Sequence, residues 1–492
     1  MTSTFGTYSI AYSGMYVNQA GLTATGANLA NINTTGASRV RVAAAEKTTD
    51  QLVGPSVGSG VSVAEINRAR NQLLDSTYRQ QNAKTGYWSV KNGDLEYMQE
   101  IISEFAAEDG TSTDGLQGMV DDFFTAWEEL AKTPAGATER QSVTEAAASL
   151  LGALSALDNQ LRQLQADAVS GVRDGVASLN DLASQIADLN SRIVAEEVSG
   201  GEASYLRDQR DALLDEMSAL ANITAAEQKD GSVKVSIGGM TMVTGATCHT
   251  LEVTGDGGTT SPLQITWADS GYETQISGGS IKAYLEDADQ TGYAAITAAD
   301  LPYNFTAGAT SSISNLRQGI NDLVTTLAIE INELHSAGYN LNGDAGEAFF
   351  TVVDSGKPLS ITNIQINPTI ADDPDKLAAA GSDASGDNTV ADAICALAGE
   401  DCYKYGGLAV DIGDFYENLI SWLGTTGDDV ATNYDTQSAL TTQVDNERLA
   451  TMSISMDEEM ANMLMYQQAY TAAARVLSTL DSLLGEMISE LG

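Results

Sequence analysis

The sequence predicts a mainly α-helical, elongated, multi-domain chain in which an all-β insertion interrupts a long coiled-coil-like helical bundle, and the helices of the two chain ends pair. Three observations predict it. The last 44 residues carry an uninterrupted apolar stripe at coiled-coil spacing; a stretch of about 60 residues keeps helical period nearly throughout; and between Ile223 and about Tyr293 the period switches to alternation. At 492 residues the chain is longer than one core usually supports, so several domains are expected.

From the N-terminus, Met15, Leu22, Leu29 and Ile32 mark one face of a helix, and Asn28, Asn31, Asn33 and Gly36 follow as residues that tolerate left-handed backbone and close helices. Three asparagines within six residues, then Thr, Gly and Arg39, exceed what a cap needs. Helical period runs from Trp88 to about Ala221: Leu95, Met98, Ile102 and Phe105 mark one helix, and Leu116, Val120, Phe123, Trp127 and Leu130 a second, broken by Pro134 and Gly136. Val143 to Ala168, resuming at Leu179 to Ile193, then reads as one rod about 90 Å long at 1.5 Å per residue. Gly200-Gly201 ends it, and Leu206, Leu213, Met217 and Leu220 start a return helix.

Alternating Val233, Val235, Ile237, Met240 and Met242, with glycine pairs at 238–239, 257–258 and 278–279, reads as an all-β insertion. Helix returns from Ile313 to His335, a mixed Asp- and Gly-rich region spans Ser336 to Gly407, and helices continue from Asp411 to the end. The closing stripe steps by threes and fours through Leu449, Met452, Met456, Glu459, Met463, Tyr466, Tyr470, Ala473, Leu477, Leu480, Leu484, Met487 and Leu491. Such a helix needs a partner helix. The domains read as 1–65 plus 449–492 (terminal helices), 66–222 plus 311–448 (long helical domain with the mixed region) and 223–310 (β-rich, outer).

Composition narrows function. A net charge of −43, from 67 acidic against 24 basic residues, rules against nucleic acid or an anionic membrane as the main partner, and no run of eighteen apolar residues offers a membrane span. Three cysteines and two histidines leave catalytic dyads and metal sites short of their usual side chains, so no cofactor, metal or enzymatic activity is expected. Cys395 and Cys402 read as small residues on one helix, Cys248-His249 lacks ligand spacing, and His335 reads as a hydrogen-bonded packing histidine. Asn340 to Asp344 has alternating oxygen side chains, but Ala345 and Thr351 stand where a calcium loop needs Gly and Glu. Met1 to Ile10 has no basic stretch followed by an apolar run, so no Sec-type signal peptide is expected.

The turn from Asn28 to Arg39 resembles the signature of bacterial flagellar axial proteins, the rod, hook and hook-associated subunits, with Thr35 and Ala37 standing where the familiar form has Pro and Tyr. Ser453 to Asn462, Tyr466 to Tyr470 and Ala472 to Val476 resemble the terminal segment of the flagellar hook-associated protein 1 family, and Tyr205 to Leu220, Gly278 to Tyr284 and Asn332 to Phe350 agree in order. The resemblance implies a structural subunit of the hook–filament junction, exported by the flagellar type III apparatus without a cleaved signal, with its terminal helices innermost around the axial channel. It implies as partners a ring of identical subunits, the hook protein, the second junction protein (hook-associated protein 3) and an export chaperone on the C-terminal helix. Another axial subunit, or a surface adhesin or scaffold using the same terminal helices, is the alternative.

The candidate subunit-interaction residues are Met15, Leu22, Asn28, Leu29, Asn31, Ile32, Asn33, Gly36, Met452, Met456, Met463, Tyr466, Tyr470, Leu477, Leu480, Leu484, Met487 and Leu491. Glu459, the polar break in the stripe, is expected at a subunit or channel-facing boundary and not in a dry core. In a free subunit, Met1 to about Arg39 and about Leu449 to Gly492 are expected to be mobile.

Overall fold

The computed structural model describes every residue except 1–3, 48–58, 105–114, 199–200, 259–260, 290–295, 303, 309–310, 383, 385 and 492. The expected helix end at Phe105 and the Gly200 break lie outside the described residues. Helix α1 (Thr4–Ala30) is followed by strands β1 (Val40–Glu46) and β2 (Val61–Arg68), which pair antiparallel. The terminal module is therefore not purely helical. Helices α2 (Gln72–Glu104), α3 (Leu116–Lys132), α4 (Ala137–Glu197) and α5 (Ser204–Leu220) come next.

Helix α4 is the predicted rod, 61 residues without interruption. Its buried face continues through Val169, Val172 and Val176, which bridge the two halves of the apolar pattern. Helix α2 starts sixteen residues before the expected Trp88, and the reason is chemical. Its first half packs through polar groups: Asn82 donates to Ser218 Oγ at 2.9 Å, Thr85 meets Thr441 at 2.8 Å and Gln437 donates to Gln81 at 2.7 Å. A polar seam leaves no apolar period to read.

The 223–310 segment forms an antiparallel meander, β3 (Ile223–Glu227), β4 (Val233–Ile237), β5 (Met240–Thr244) and β6 (Thr247–Cys248), then a hairpin, β7 (Leu251–Thr254) and β8 (Gln264–Trp267). It is not all strand, because helix α6 (Ser280–Asp287) follows, and beyond it comes β9 (Asn304–Phe305). Nor do the sheets have a core of their own. Val233, Val235, Ile237, Leu251, Ile265 and Trp267 share one with Val172, Leu179, Ala183 and Ile186 of α4 and with Leu214 and Met217 of α5. Two asparagines of α4 stitch the sheets down: Asn180 exchanges both backbone bonds with Leu251 at 2.9 Å, and Asn190 does the same with Val233 at 2.9 Å. Five-residue strands with a single buried face cannot stand alone, so the rod supplies the second layer.

The other core lies around the first half of α4, with α3 and α7 (Ser312–Ser336). The mixed region threads over it as β10 (Phe350–Thr351), β11 (Gln365–Ile366), α8 (Pro368–Asp372), α9 (Thr389–Ala396), β12 (Tyr403–Tyr405) and β13 (Leu408–Val410). Cys395 sits on α9 and Cys402 in the connection before β12, so the two do not share a helix; Gly399 and Glu400 end the helical backbone between them. Helix α10 (Ile412–Met452), capped by Asp411, packs on α2. Helix α11 (Met456–Leu491) packs on α1.

The closing stripe is thus interrupted. Ser453 adopts extended backbone (φ −65°, ψ 147°), and Asp457, Glu458 and Glu459 open α11 with carboxylates at the positive end of the helix. The break lets one stripe serve two partners. Leu449 before it is exposed, while Met452 is buried at the corner.

Candidate functional site

Four segments remote in sequence meet at the Asn-rich turn. Asn28, in the last turn of α1, is buried, and its side-chain amide reads the backbone of β1. Its Oδ1 accepts from Val40 N–H at 2.9 Å, and its Nδ2 donates to the Val40 carbonyl at 2.9 Å and to Glu459 Oε2 at 3.0 Å. Only an amide offers donor and acceptor on one short stem. Gly36 takes a positive φ of 79°, which turns the chain back. Ser38 then donates its backbone N–H and its hydroxyl to the two oxygens of Asp208 on α5, at 2.8 and 2.7 Å.

Arg39 completes the joint. Its guanidinium bonds Glu459 at 2.8 Å and Glu458 at 2.7 Å, its backbone N–H donates to the Met452 carbonyl at 3.0 Å, and its own carbonyl accepts from Ala69 N–H at 2.7 Å. Glu459 is 2 % exposed. This corrects the expectation of a boundary position: the carboxylate is buried, and it is tolerated because Arg39 and Asn28 together satisfy it.

Beside the joint lies an arginine–carboxylate network. Arg68 bonds Glu202 at 3.0 Å and both Asp208 and Asp211 at 2.8 Å; Arg70 bonds Asp75 at 2.9 Å; Arg79 bonds Asp215 at 2.8 Å; and Arg448 of α10 bonds Asp215 while lying 3.9 Å from the Tyr78 ring centroid. Burial by itself would raise Asp211; the charges of Arg70, Arg68 and Arg79 outweigh it and hold the carboxyl down at about 2. In a chain so poor in cations, this concentration ties α2, α5 and α10 to β2 of the terminal module.

Along the pair itself, α1 and α11 come close together at Gly21, where a Cβ would stand 2.6 Å from the Tyr466 ring. Met15, Leu22, Leu29 and Ile32 are half-buried, as are Met463, Tyr466, Tyr470, Leu477, Leu480 and Leu484 on the face of α11 toward α1. Asn31 is exposed and donates back to the Ala27 carbonyl at 3.0 Å, and Asn33 is exposed. Met456 and Met487 point outward, 53 % and 52 % exposed, and the Leu491 side chain lies outside the described residues.

Sequence reasoning missed a second apolar set on α11. Met460, Leu464, Met465, Val476, Leu483 and Ile488 are all exposed. At about 100° per residue, Met465, Val476, Leu483 and Met487 fall on one flank of the α1-facing side along most of the helix, Met460 and Leu464 form a short apolar patch on the other side near its start, followed there by exposed Thr471 and Ser478, and exposed Gln468, Arg475 and Glu486 form a polar rear. Gly21 was also missed, and Ser38 and Asp208, although inside stretches singled out for their resemblance, were not read as partners because their pairing is set by the fold.

The remaining candidates resolve into packing. His335 is fully buried, with Nδ1 facing the Glu347 carbonyl and Nε2 accepting from Ala378 N–H at 2.8 Å; burial lowers it to about 4. Asn340 Oδ1 accepts from Asn342 and Asp344 N–H, closing a turn on itself. Burial pushes the thiols of Cys395 and Cys402 up to about 11. Among the described residues no group of three or more His, Cys, Asp or Glu is placed to hold a metal, and no helix is long and apolar enough to cross a membrane.

Residues 101–350, just over half of the chain, match the flagellar hook-associated protein FlgK helical domain. The chain belongs to the FlgK family. Residues 432–490 also match the C-terminal region of the flagellar basal body rod FlgEFG proteins. FlgK-type relatives named flagellar hook-associated protein 1 include that of Bacillus subtilis, 27 % identical with 100 % of this chain and 99 % of the relative covered, and that of Escherichia coli, 23 % identical with 97 % and 98 % covered. The fold is similar to that of the flagellar hook junction protein FlgK from Burkholderia pseudomallei, with a TM-score of 0.58, 14 % identity, and 75 % of this chain and 99 % of that one covered. The chain is a structural protein of the hook–filament junction. It is part of the flagellum, exported beyond the cell. Neither the alternative axial subunits nor an adhesin is favoured.

Proposed function

We propose that the Asn28–Arg39–Glu459 joint sets the angle at which α1 and α11 leave the body of the subunit, and that α11 then packs between the terminal helices of two neighbouring copies. One observation carries this reading: α11 has one face on α1, an exposed apolar flank along most of its length, a short apolar patch of Met460 and Leu464 on the opposite side near its start, and a polar rear. A helix so built needs neighbours on both sides and water behind it, as in a ring of helices around an aqueous channel. Burying these apolar surfaces contributes about 25 cal/mol per Å² against the entropy of ordering the helices.

In this reading residues 1–65 with 449–492 form the inner layer, 66–222 with 311–448 the helical layer, and 223–310 the outer region, with export requiring no cleaved signal. The hook protein lies below the ring and hook-associated protein 3 above it. Before assembly the same apolar surfaces on α11 are where an export chaperone binds. The direct test is complementation of a deletion strain with Met460→Asp or Leu483→Asp. Hooks without filaments, with unpolymerised flagellin in the medium, are expected for both; normal filaments from either variant contradict the reading.

A further inference from the structure

Asp94 stands one turn after Lys91 on α2, and Lys91 reaches Asp287 on α6 at 2.9 Å, which brings the Asp94 and Asp287 carboxyls together at the seam of the two helices as hydrogen-bonding neighbours. Asp287 is 1 % exposed; its Oδ1 accepts from Lys91 Nζ at 2.9 Å, and its Oδ2 has no partner. The Oδ2 of Asp94 has none either. Two carboxylates at this separation repel, whereas one proton held between the two unpartnered oxygens satisfies both. We propose that Asp94 and Asp287 form a proton-sharing latch that clasps α6 to α2, so that losing the proton loosens the return of the strand-bearing segment onto the helical body.

The seat of α6 makes the latch consequential. Its outer side lies on two glycines of α4: a Cβ at Gly171 would stand 2.9 Å from Tyr284, and one at Gly175 would stand 2.7 Å from Ile281. Its start is pinned by Gly279, at φ +86°, whose N–H donates to the Ala83 carbonyl of α2 at 2.9 Å. Helix α6 is a wedge between α2 and α4, and its C-terminal end is where charge decides the fit.

The charged groups around the pair are these. On α2, Lys91 also bonds Glu286 at 3.1 Å, and Tyr87 donates to Glu286 at 2.8 Å. On α6, Lys282 bonds Glu286 at 3.1 Å, and Tyr284 is near Asp94. Asp167 of α4 adds a further negative charge on Asp94. Arg317 of α7 is engaged by Asp158 and Gln165. Helix α5 meets the other end of α6, through Leu220 and Gly279, and its Asp215 is taken by Arg79 and Arg448. Lys91 holds both Glu286 and Asp287, and its pull on Asp94 is outweighed. Burial first, then the Asp287 charge, push Asp94 up to about 7 against the pull of Lys91.

The sign follows. A carboxyl raised in the docked state gives docking extra stability that is complete below the ordinary carboxylate range and lost as pH rises to about 7, at up to roughly tenfold in the docking equilibrium per pH unit.

The test is hydrogen exchange of residues 281–288 in the full-length monomer across about pH 5 to 8, corrected for intrinsic rates. In the parent, opening of α6 is expected to rise steeply toward neutrality and then level off. Asp94→Asn, whose amide donates to Asp287 without a proton to lose, is expected to stay protected and flat. Equal pH slopes in parent and variant, or a flat parent, overturn the proposal. Because the variant could misfold, difference infrared spectra of the parent alone give a second check. A protonated-carboxyl stretch present at pH 6 and gone by pH 8 is expected, and its absence at pH 6 overturns the latch.

Discussion

Arg39 and Glu459, 420 positions apart in sequence, form an ion pair with its carboxylate buried, which joins the turn before β1 to the start of the last helix. The pair fixes where the two chain ends meet, and it is costly to break because Glu459 has no water to fall back on. Arg39→Ala, which leaves a buried carboxylate with Asn28 as its remaining partner, is expected to cost about 3–5 kcal/mol of terminal docking. Glu459→Gln, which keeps the Asn28 contact and leaves Arg39 on Glu458, costs less. Glu458→Ala, at a site 62 % exposed, costs about 0–1 kcal/mol. Denaturant melts of the three variants check the order; an Arg39→Ala effect no larger than that of Glu458→Ala contradicts it.

Gly21 and Tyr466 set the spacing of the helix pair. Gly21→Val places a branched side chain where a single Cβ already stands 2.6 Å from the ring, and is expected to cost about 1–3 kcal/mol. Exchange of the amides of residues 463–470 should rise about tenfold or more, and the double variant with Tyr466→Ala should recover part of it. No coupling between the two positions would mean that α1 and α11 do not pack at this register.

His335 predicts a pH dependence in the helical core. Its pKa is depressed from the ordinary 6.5 to about 4, so the unfolded chain binds the proton more readily. Stability from this residue is complete above about 6.5 and is lost as pH falls toward 4, amounting to roughly 3 kcal/mol. The Asp94–Asp287 latch acts with the opposite sign over an overlapping window. The difference between parent and His335→Gln therefore carries the test: the variant's urea midpoint should change less between pH 7 and pH 4.5 in the direction of acid loss. Equal changes would refute the neutral, fully bonded ring.

Asp211 acts in a lower window. Held down at about 2, it contributes stability above the ordinary carboxylate range that is lost as pH falls through that range toward 2. Asp211→Asn leaves Arg68 and Arg70 under-paired and should lower stability at neutral pH while reducing its loss in strong acid. Acid titration of the unfolding midpoint measures both effects.

The rod α4 was legible because its apolar residues recur every three or four positions and no proline interrupts them. The strands β3 to β5 were legible from alternation, but α6 was hidden among glycine pairs, and the dependence of the sheets on α4 runs through asparagine side chains that no pattern announces. The Asn-rich turn was visible as a cluster, yet what Asn28 bonds is set by Val40 and Glu459. Glu459 looked like a boundary residue because a carboxylate in an apolar stripe reads as exposed unless its partner is known, and that partner lies at the other end of the chain. The flanks of α11 were missed because a stripe at coiled-coil spacing describes one contact, whereas this helix carries two further apolar sets.

The central claim is that α11 is built for neighbours on both sides, and a flank-by-flank aspartate scan read in cells tests it most directly. Met460→Asp and Leu483→Asp, on opposite sides of the helix, are each expected to leave a folded subunit but no filaments on the hooks. Gln468→Asp, on the polar rear, is expected to leave filaments intact. Filaments surviving a charge on either flank, or lost equally with the charge on the rear, would contradict the account.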